Sequence, residues 1–186
     1  CLLSRGLGDV YKRQKQWDLG VIVHISELEA PTADAVVRAT IERYKISAEL
    51  AGRIRIINTY TRPTMDGLRE KVEEIVACRR ILSTSLHGLV IAETYGIPCA
   101  WFATYAGSSG FLDIDGSLSI DHRMKDFYSG VDRDNVLSYL QPLNAPTDWL
   151  GAIRFLDEHW SPLSYDGQAL LEAFPLKKHV KLTDAR

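Results

Sequence analysis

The stretch ILSTSLHGLVIAETYGIPCAWF, residues 81–102, decides how this chain is read. It opens on a short apolar run and turns through Ser83, Thr84 and Ser85. A nearly all-apolar segment follows from Leu86 to Tyr95, Gly96 stops it as a C′ residue, and apolar residues resume. The spacing predicts a strand over 81–84, a helix over 86–95 and a strand over 97–102. His87 falls just inside that helix. It is either an ordinary polar residue at a packed helix start or an imidazole beside an anion-binding turn.

Outward from this stretch the same alternation continues. VIVHI (21–25) and IRIIN (54–58) are β-branched runs that read as buried strands. Pro31-Thr32 reads as a helix start with Thr32 as N-cap, and Pro63-Thr64 opens a second helix. Val36, Val37, Thr40, Ile41 and Tyr44 would face inward on the first helix. Met65, Leu68, Val72, Ile75 and Val76 would do so on the second. Strands alternating with helices predict a Rossmann-like parallel sheet flanked by helices over 15–130. The Gly/Ser-rich TYAGSSGFLDIDGS (104–117) reads as a loop, and its GSSG either cradles an anion or simply turns. Segments 132–140, 147–159 and 165–174 read as three helices within a C-terminal helical segment (131–178), followed by a tail (179–186).

Composition bounds the function. The chain has 186 residues, 46% hydrophobic and 25% charged, with a formal net charge of −2. That suits an ordinary globular domain and gives no electrostatic grip on nucleic acid. Cys1, Cys78 and Cys99 form no CxxC pair, which fits a reducing, cytoplasmic setting without a disulfide framework or zinc site. The longest apolar stretch, 86–103, is interrupted by Glu93, Gly96 and Pro98, so no transmembrane segment is expected. Residues 1–14, CLLSRGLGDVYKRQ, start without Met, lack apolar periodicity and are too polar for a signal peptide. They resemble translated adapter sequence and are expected to be a non-native leader, with coding sequence missing upstream.

In an open parallel sheet, ligands sit beyond the carboxyl ends of the strands, where helix N-termini present free N–H groups. Ser83, Thr84, Ser85, Leu86, His87 and Gly88 fall at such a turn. The hydroxyls can cap the helix or bind phosphate, and Gly88 permits close approach by a ligand or a neighbouring element. His24, near the end of the first strand, either faces the same crevice or is satisfied by backbone. Glu93 is either a solvated helix position or an acceptor for a ligand hydroxyl. His122, Arg123, Lys125 and Tyr128 lie close together in HRMKDFYSG (122–130), either as a solvated turn or as part of a site.

These residues carry a family resemblance. CRRILSTSLHGLVIAETYGIPCAWF (78–102) resembles the signature of polysaccharide pyruvyl transferases: a cysteine before a strand, a serine-rich turn, Leu-His-Gly, a small-residue helix and Gly-Ile-Pro. GVIVHIS (20–26) is similar to a family strand that ends in histidine, with Val23 where proline is usual. MKDFYSGV (124–131) is similar to the family's Lys-x-x-Asp-Tyr-Tyr segment through Lys125 and Tyr128. LLEAFPLK (170–177) is similar to the closing segment of the exopolysaccharide branch. The resemblance spans about 18–178. Many members carry arginine directly before Leu-His-Gly, where it grips phosphoenolpyruvate. This chain has Ser85, so Arg62 and Lys125 are the expected replacements.

The resemblance implies the C-terminal half of a two-domain transferase of GT-B type. Such an enzyme moves the enolpyruvyl unit of phosphoenolpyruvate onto two hydroxyls of a saccharide, or of its lipid-linked precursor, as a ketal. His87 would be the catalytic residue. Ser83, Thr84, Ser85, Leu86, Gly88, His24, Arg62, Glu93, Lys125 and Tyr128 would bind substrate. Phosphoenolpyruvate is then a donor substrate, and no cofactor or metal is implied. The expected location is cytoplasmic, compatible with a peripheral seat on the inner face of the membrane. AETYGIP (92–98) also resembles the Glu-x-x-x-Gly-x-Pro donor segment of nucleotide-sugar glycosyltransferases, with Glu93 on a ribose hydroxyl. A third reading is an inactive binding fragment.

Overall fold

The computed structural model describes residues 15–105, 107–116, 120–168 and 172–173. The expected leader and tail lie outside the described residues, as do residues 169–171 and 174 of the helix expected over 165–174. The elements run β1 (Leu19–Val23), β2 (Ile54–Asn58), α1 (Met65–Val76), β3 (Ile81–Ser83), α2 (Leu86–Thr94), β4 (Cys99–Ala103), β5 (Gly110–Asp113), α3 (His122–Gly130), β6 (Asn135–Leu140) and α4 (Trp149–His159). The strands form one six-stranded sheet in the order β2-β1-β3-β4-β6-β5. Every neighbouring pair is parallel except β5 with β6. The protein is therefore a Rossmann-like α/β fold.

Burial on both faces explains why the central strands read as unbroken apolar runs. Ile22, Ile81, Cys99 and Trp101 pack beneath Ile75 and Val76 of α1, Leu89 and Ala92 of α2, and Met124 and Tyr128 of α3. Leu19, Val21, Val23, Leu82, Ala100 and Phe102 face the other way, onto Trp149, Ala152 and Leu156 of α4. Alternate residues of a strand point to opposite faces, so one strand serves both layers. Helix ends follow local chemistry. Thr64 Oγ1 accepts from Gly67 N at 3.0 Å to cap α1. Gly96 adopts φ 62° after α2. There Gly96 N donates to Glu93 O at 3.0 Å and Ile97 N to Ala92 O at 2.9 Å, the paired bonds of a Schellman ending.

Three expected elements differ. The helix expected over 32–44 is irregular: Leu28 and Val37 form an antiparallel bridge, and Asn58 Nδ2 donates to the carbonyl oxygens of Thr32 and Ala35. Only Glu42–Tyr44 makes a turn of 3-10 helix. The β-branched pairs Val36-Val37 and Thr40-Ile41 disfavour helix there, and burial of Arg43 and Tyr44 fixes another path. The expected helix over 132–140 is strand β6, with Val136, Leu137 and Ser138 buried. Its partner β5 lies inside the expected loop of 104–117, and in GSSG the Ser109 hydroxyl accepts from Leu140 N at 2.9 Å.

No helix among the described residues is long and apolar enough to cross a membrane.

Candidate functional site at the carboxyl ends of β1, β3 and β4

The strand order reverses between β1 and β3. From β1 the chain steps outward to β2, then crosses back to β3 and proceeds to β4 on the other side. A crevice opens beyond strand ends at such a switch point because the connecting segments diverge. Here it has a volume of about 710 Å³ and is lined by His24, Arg38, Arg43, Thr84, Tyr105 and Arg123, among others. His24 is the first residue after β1, and Thr84 the first after β3. They are stitched together: the backbone N–H of His24 donates to Thr84 Oγ1 at 2.6 Å.

A buried polar network supports this floor. Glu27 Oε2 accepts from Tyr44 Oη at 2.8 Å and from Thr84 Oγ1 at 3.1 Å. Glu27 Oε1 accepts from Arg43 Nη2. Arg43 is 2% exposed, and its guanidinium lies 4.6 Å from the ring centroid of Phe102 and 4.9 Å from that of Tyr44. Its Nε and Nη1 lack a hydrogen-bond partner among the described residues. Stacking on two ring faces compensates part of that desolvation. Burial, with the Glu27 carboxylate beside it, pushes the Tyr44 hydroxyl well above its ordinary range and keeps it neutral.

The crevice carries three guanidinium groups against the carboxylates of Glu27 and Asp121. Glu27 is matched by Arg43, and Asp121 by Arg123 through Nε at 3.0 Å and Nη2 at 2.7 Å. These bonds hold the Asp121 carboxyl at about 2. Arg38 is left over. Its Nε donates to Leu28 O at 3.0 Å, and it forms no ion pair among the described residues. The crevice thus holds one uncompensated positive charge together with a histidine.

The expected site residues divide into three groups. His24 and Thr84 line the crevice. Ser85, Leu86, His87 and Gly88 form the adjoining start of α2, where Ser85 is an N-cap without a side-chain cap bond. His87 is exposed, and its ring makes no hydrogen bond among the described residues. Ser83 is wholly buried, and its hydroxyl donates to Ser85 O at 2.7 Å while accepting from Ser85 N at 3.1 Å, so it shapes the turn. A Cβ on Gly88 would lie 2.6 Å from Ile22 Cδ1, so glycine there serves the packing of α2 on the sheet.

The third group lies elsewhere. Arg62 pairs with Glu70 at 2.5 Å on the surface and borders a separate concavity along α1 of about 470 Å³. Lys125 pairs with Asp115. Neither is among the residues lining the crevice. Glu93 is 8% exposed and accepts from Tyr128 Oη at 3.4 Å, between α2 and α3. Burial raises its carboxyl above the ordinary range against the pull of Arg133, Cys99, Trp160 and Tyr128. Its Oε2 and the Trp160 Nε1 both lack a partner of good hydrogen-bond geometry among the described residues. The sequence reading left out Glu27, Arg38, Arg43 and, as a site member, Arg123. The usable signal was Glu27 three residues after His24, with two arginines following in the same segment.

Among the described residues no group of three or more His, Cys, Asp or Glu side chains is placed to hold a metal ion. No family model, curated protein or solved structure matches this chain.

Proposed function

We propose that this chain forms one wall of a pyruvyl transferase site, the C-terminal lobe of a two-domain enzyme of GT-B type. The observation that carries the reading is the crevice at the switch point, with its surplus positive charge from Arg38, next to the Leu86-His87-Gly88 helix start. Its donor is phosphoenolpyruvate and its acceptor a saccharide or lipid-linked saccharide. The crevice holds the donor's anionic groups. His87, at a helix N-terminus and without a competing partner among the described residues, supplies or takes the proton that enol chemistry requires. In the two-domain enzyme His87→Ala lowers turnover by ~10²-fold or more, the usual scale for a lost general acid or base. This lobe alone, presenting one wall, is expected to show little or no ketal formation.

Burial of Glu93 against Tyr128 weighs against the nucleotide-sugar alternative, because that carboxyl would have to reach a ribose hydroxyl. Titrating the chain with phosphoenolpyruvate and, separately, with a nucleotide sugar decides between them by NMR. Shifts at His24, Thr84 and His87 with phosphoenolpyruvate alone are expected. Shifts at those residues with only the nucleotide sugar would reverse the assignment.

A further inference from the structure

The crevice contains a histidine whose tautomer is set by its own turn. His24 caps the 3-10 turn Ile25–Glu27 with its ring. The backbone N–H of Ser26, which can only donate, points at His24 Nδ1 at 3.3 Å, and the Ser26 hydroxyl lies 2.8 Å from the same nitrogen. A nitrogen that accepts from an amide offers its lone pair and carries no proton. In the neutral ring the proton therefore sits on Nε2. Nδ1 is turned to Ser26, which leaves the Nε2 edge for the crevice that His24 lines.

We propose that His24 is a fixed-tautomer hydrogen-bond donor. Its Nε2–H, together with the Nη1 of Arg123 and the guanidinium edge of Arg38, which has no ion pair among the described residues, forms a three-donor seat for a compact oxyanion, a phosphate or a carboxylate. This deepens the transferase reading, on which the identity of the natural ligand rests. It also divides labour between the two histidines. His24 binds charge through a nitrogen that already holds its proton, so its crevice edge accepts no proton in this tautomer. His87 is left to exchange the proton. Ser26 is then a positioning residue, acting through His24. Thr84 fixes the backbone of residue 24 from the other side of the switch point, so substitutions of the His24 side chain leave the main-chain bond to Thr84 in place.

Amide substitutions separate the two ring edges. Glutamine reaches the Nε2 position with an N–H; asparagine keeps the capping acceptor but lacks that reach. The probes are inorganic phosphate and pyruvate, titrated into the whole chain at fixed ionic strength, which tell a phosphate seat from a carboxylate seat. His24→Gln is expected to retain binding within ~3-fold, whereas His24→Asn weakens it by ~10-fold, the scale of one hydrogen bond to a charged group. The ring nitrogens of His24, read by ¹⁵N NMR without ligand, are expected to show a protonated Nε2 and a bare Nδ1. In Ser26→Pro, which lacks the donating N–H, both tautomers should appear. A protonated Nδ1 in the neutral wild-type ring overturns the proposal. So does equal binding by the Gln and Asn variants, or retention by Asn alone. If the tautomer and the Gln/Asn contrast hold but phosphoenolpyruvate does not bind, the seat stands and the transferase reading fails.

Discussion

The sheet carries two buried polar networks, one at each flank of the β3–α2 unit, and they are built differently. Around Glu27, three donors converge on one carboxylate: Arg43, Tyr44 and Thr84. Around Glu93, one long bond from Tyr128 is all that meets the geometry, and one oxygen is left unpartnered among the described residues. The first network ties together the end of β1, the end of β3 and the 3-10 turn Glu42–Tyr44, and it opens on the crevice. The second is sealed between α2, α3 and Trp160. Three converging donors fix the Glu27 carboxylate in place at the floor of the crevice. Burial, only sparsely offset by hydrogen bonds, raises the Glu93 carboxyl above its ordinary range, which suits a packing position better than a ligand contact.

The largest effect should come from unpairing the first network. Glu27→Ala leaves Arg43 charged and buried and is expected to cost about 3–5 kcal/mol in urea denaturation. Adding Arg43→Met to that variant should recover part of the loss. A simple sum of the two single losses would mean the pair is uncoupled. Gly88→Ala comes next, at roughly 1–3 kcal/mol, because the added methyl meets Ile22 beneath α2. Normal stability there would show that α2 can slide to make room.

Glu93 sharpens the contrast through pH. Its folded carboxyl is raised above the unfolded value, so the folded state binds the extra proton more readily. Its contribution is therefore fully present below the ordinary glutamate range and is lost as pH rises through the raised folded value. Glu93→Gln should remove this dependence and match or exceed wild type at neutral pH. A Gln variant that is weaker at neutral pH, with the pH slope unchanged, would mean that Glu93 is ionised and paired like Glu27. Tyr128→Phe should cost only ~1 kcal/mol, one hydrogen bond. Smallest of all, Arg62→Ala and Lys125→Ala remove exposed, solvent-screened ion pairs and should each leave the urea midpoint almost unchanged, with no change in anion binding.

The parallel sheet was legible because buried strands of this class are apolar on both faces, and LGVIV, ILS and CAWFA have little else to be. Gly96 announced its helix end for the same local reason that the structure uses it. Strand β6 was misread as helix because NVLSYL mixes small, polar and apolar residues, and its strand state comes from pairing with β4 and β5. The segment 31–44 failed similarly: its apolar residues sit at helical spacing, yet burial of Arg43 and Tyr44 governs the chain path. Of the residues lining the crevice, His24 and Thr84 were legible because they follow strands directly. Arg38 and Arg43 were not, since nothing local to an irregular segment says which strand ends it folds over. Arg62 and Lys125 were favoured by their place in the sequence, but each is spent on a neighbouring carboxylate.

Crystals of the chain soaked with phosphoenolpyruvate test the central claim most directly. Density is expected in the crevice between the ends of β1 and β3, with oxyanion atoms at hydrogen-bond distance from His24 Nε2 and the Arg38 guanidinium. Density in the concavity beside Arg62 and Lys71, with the crevice empty at saturating ligand, would contradict it.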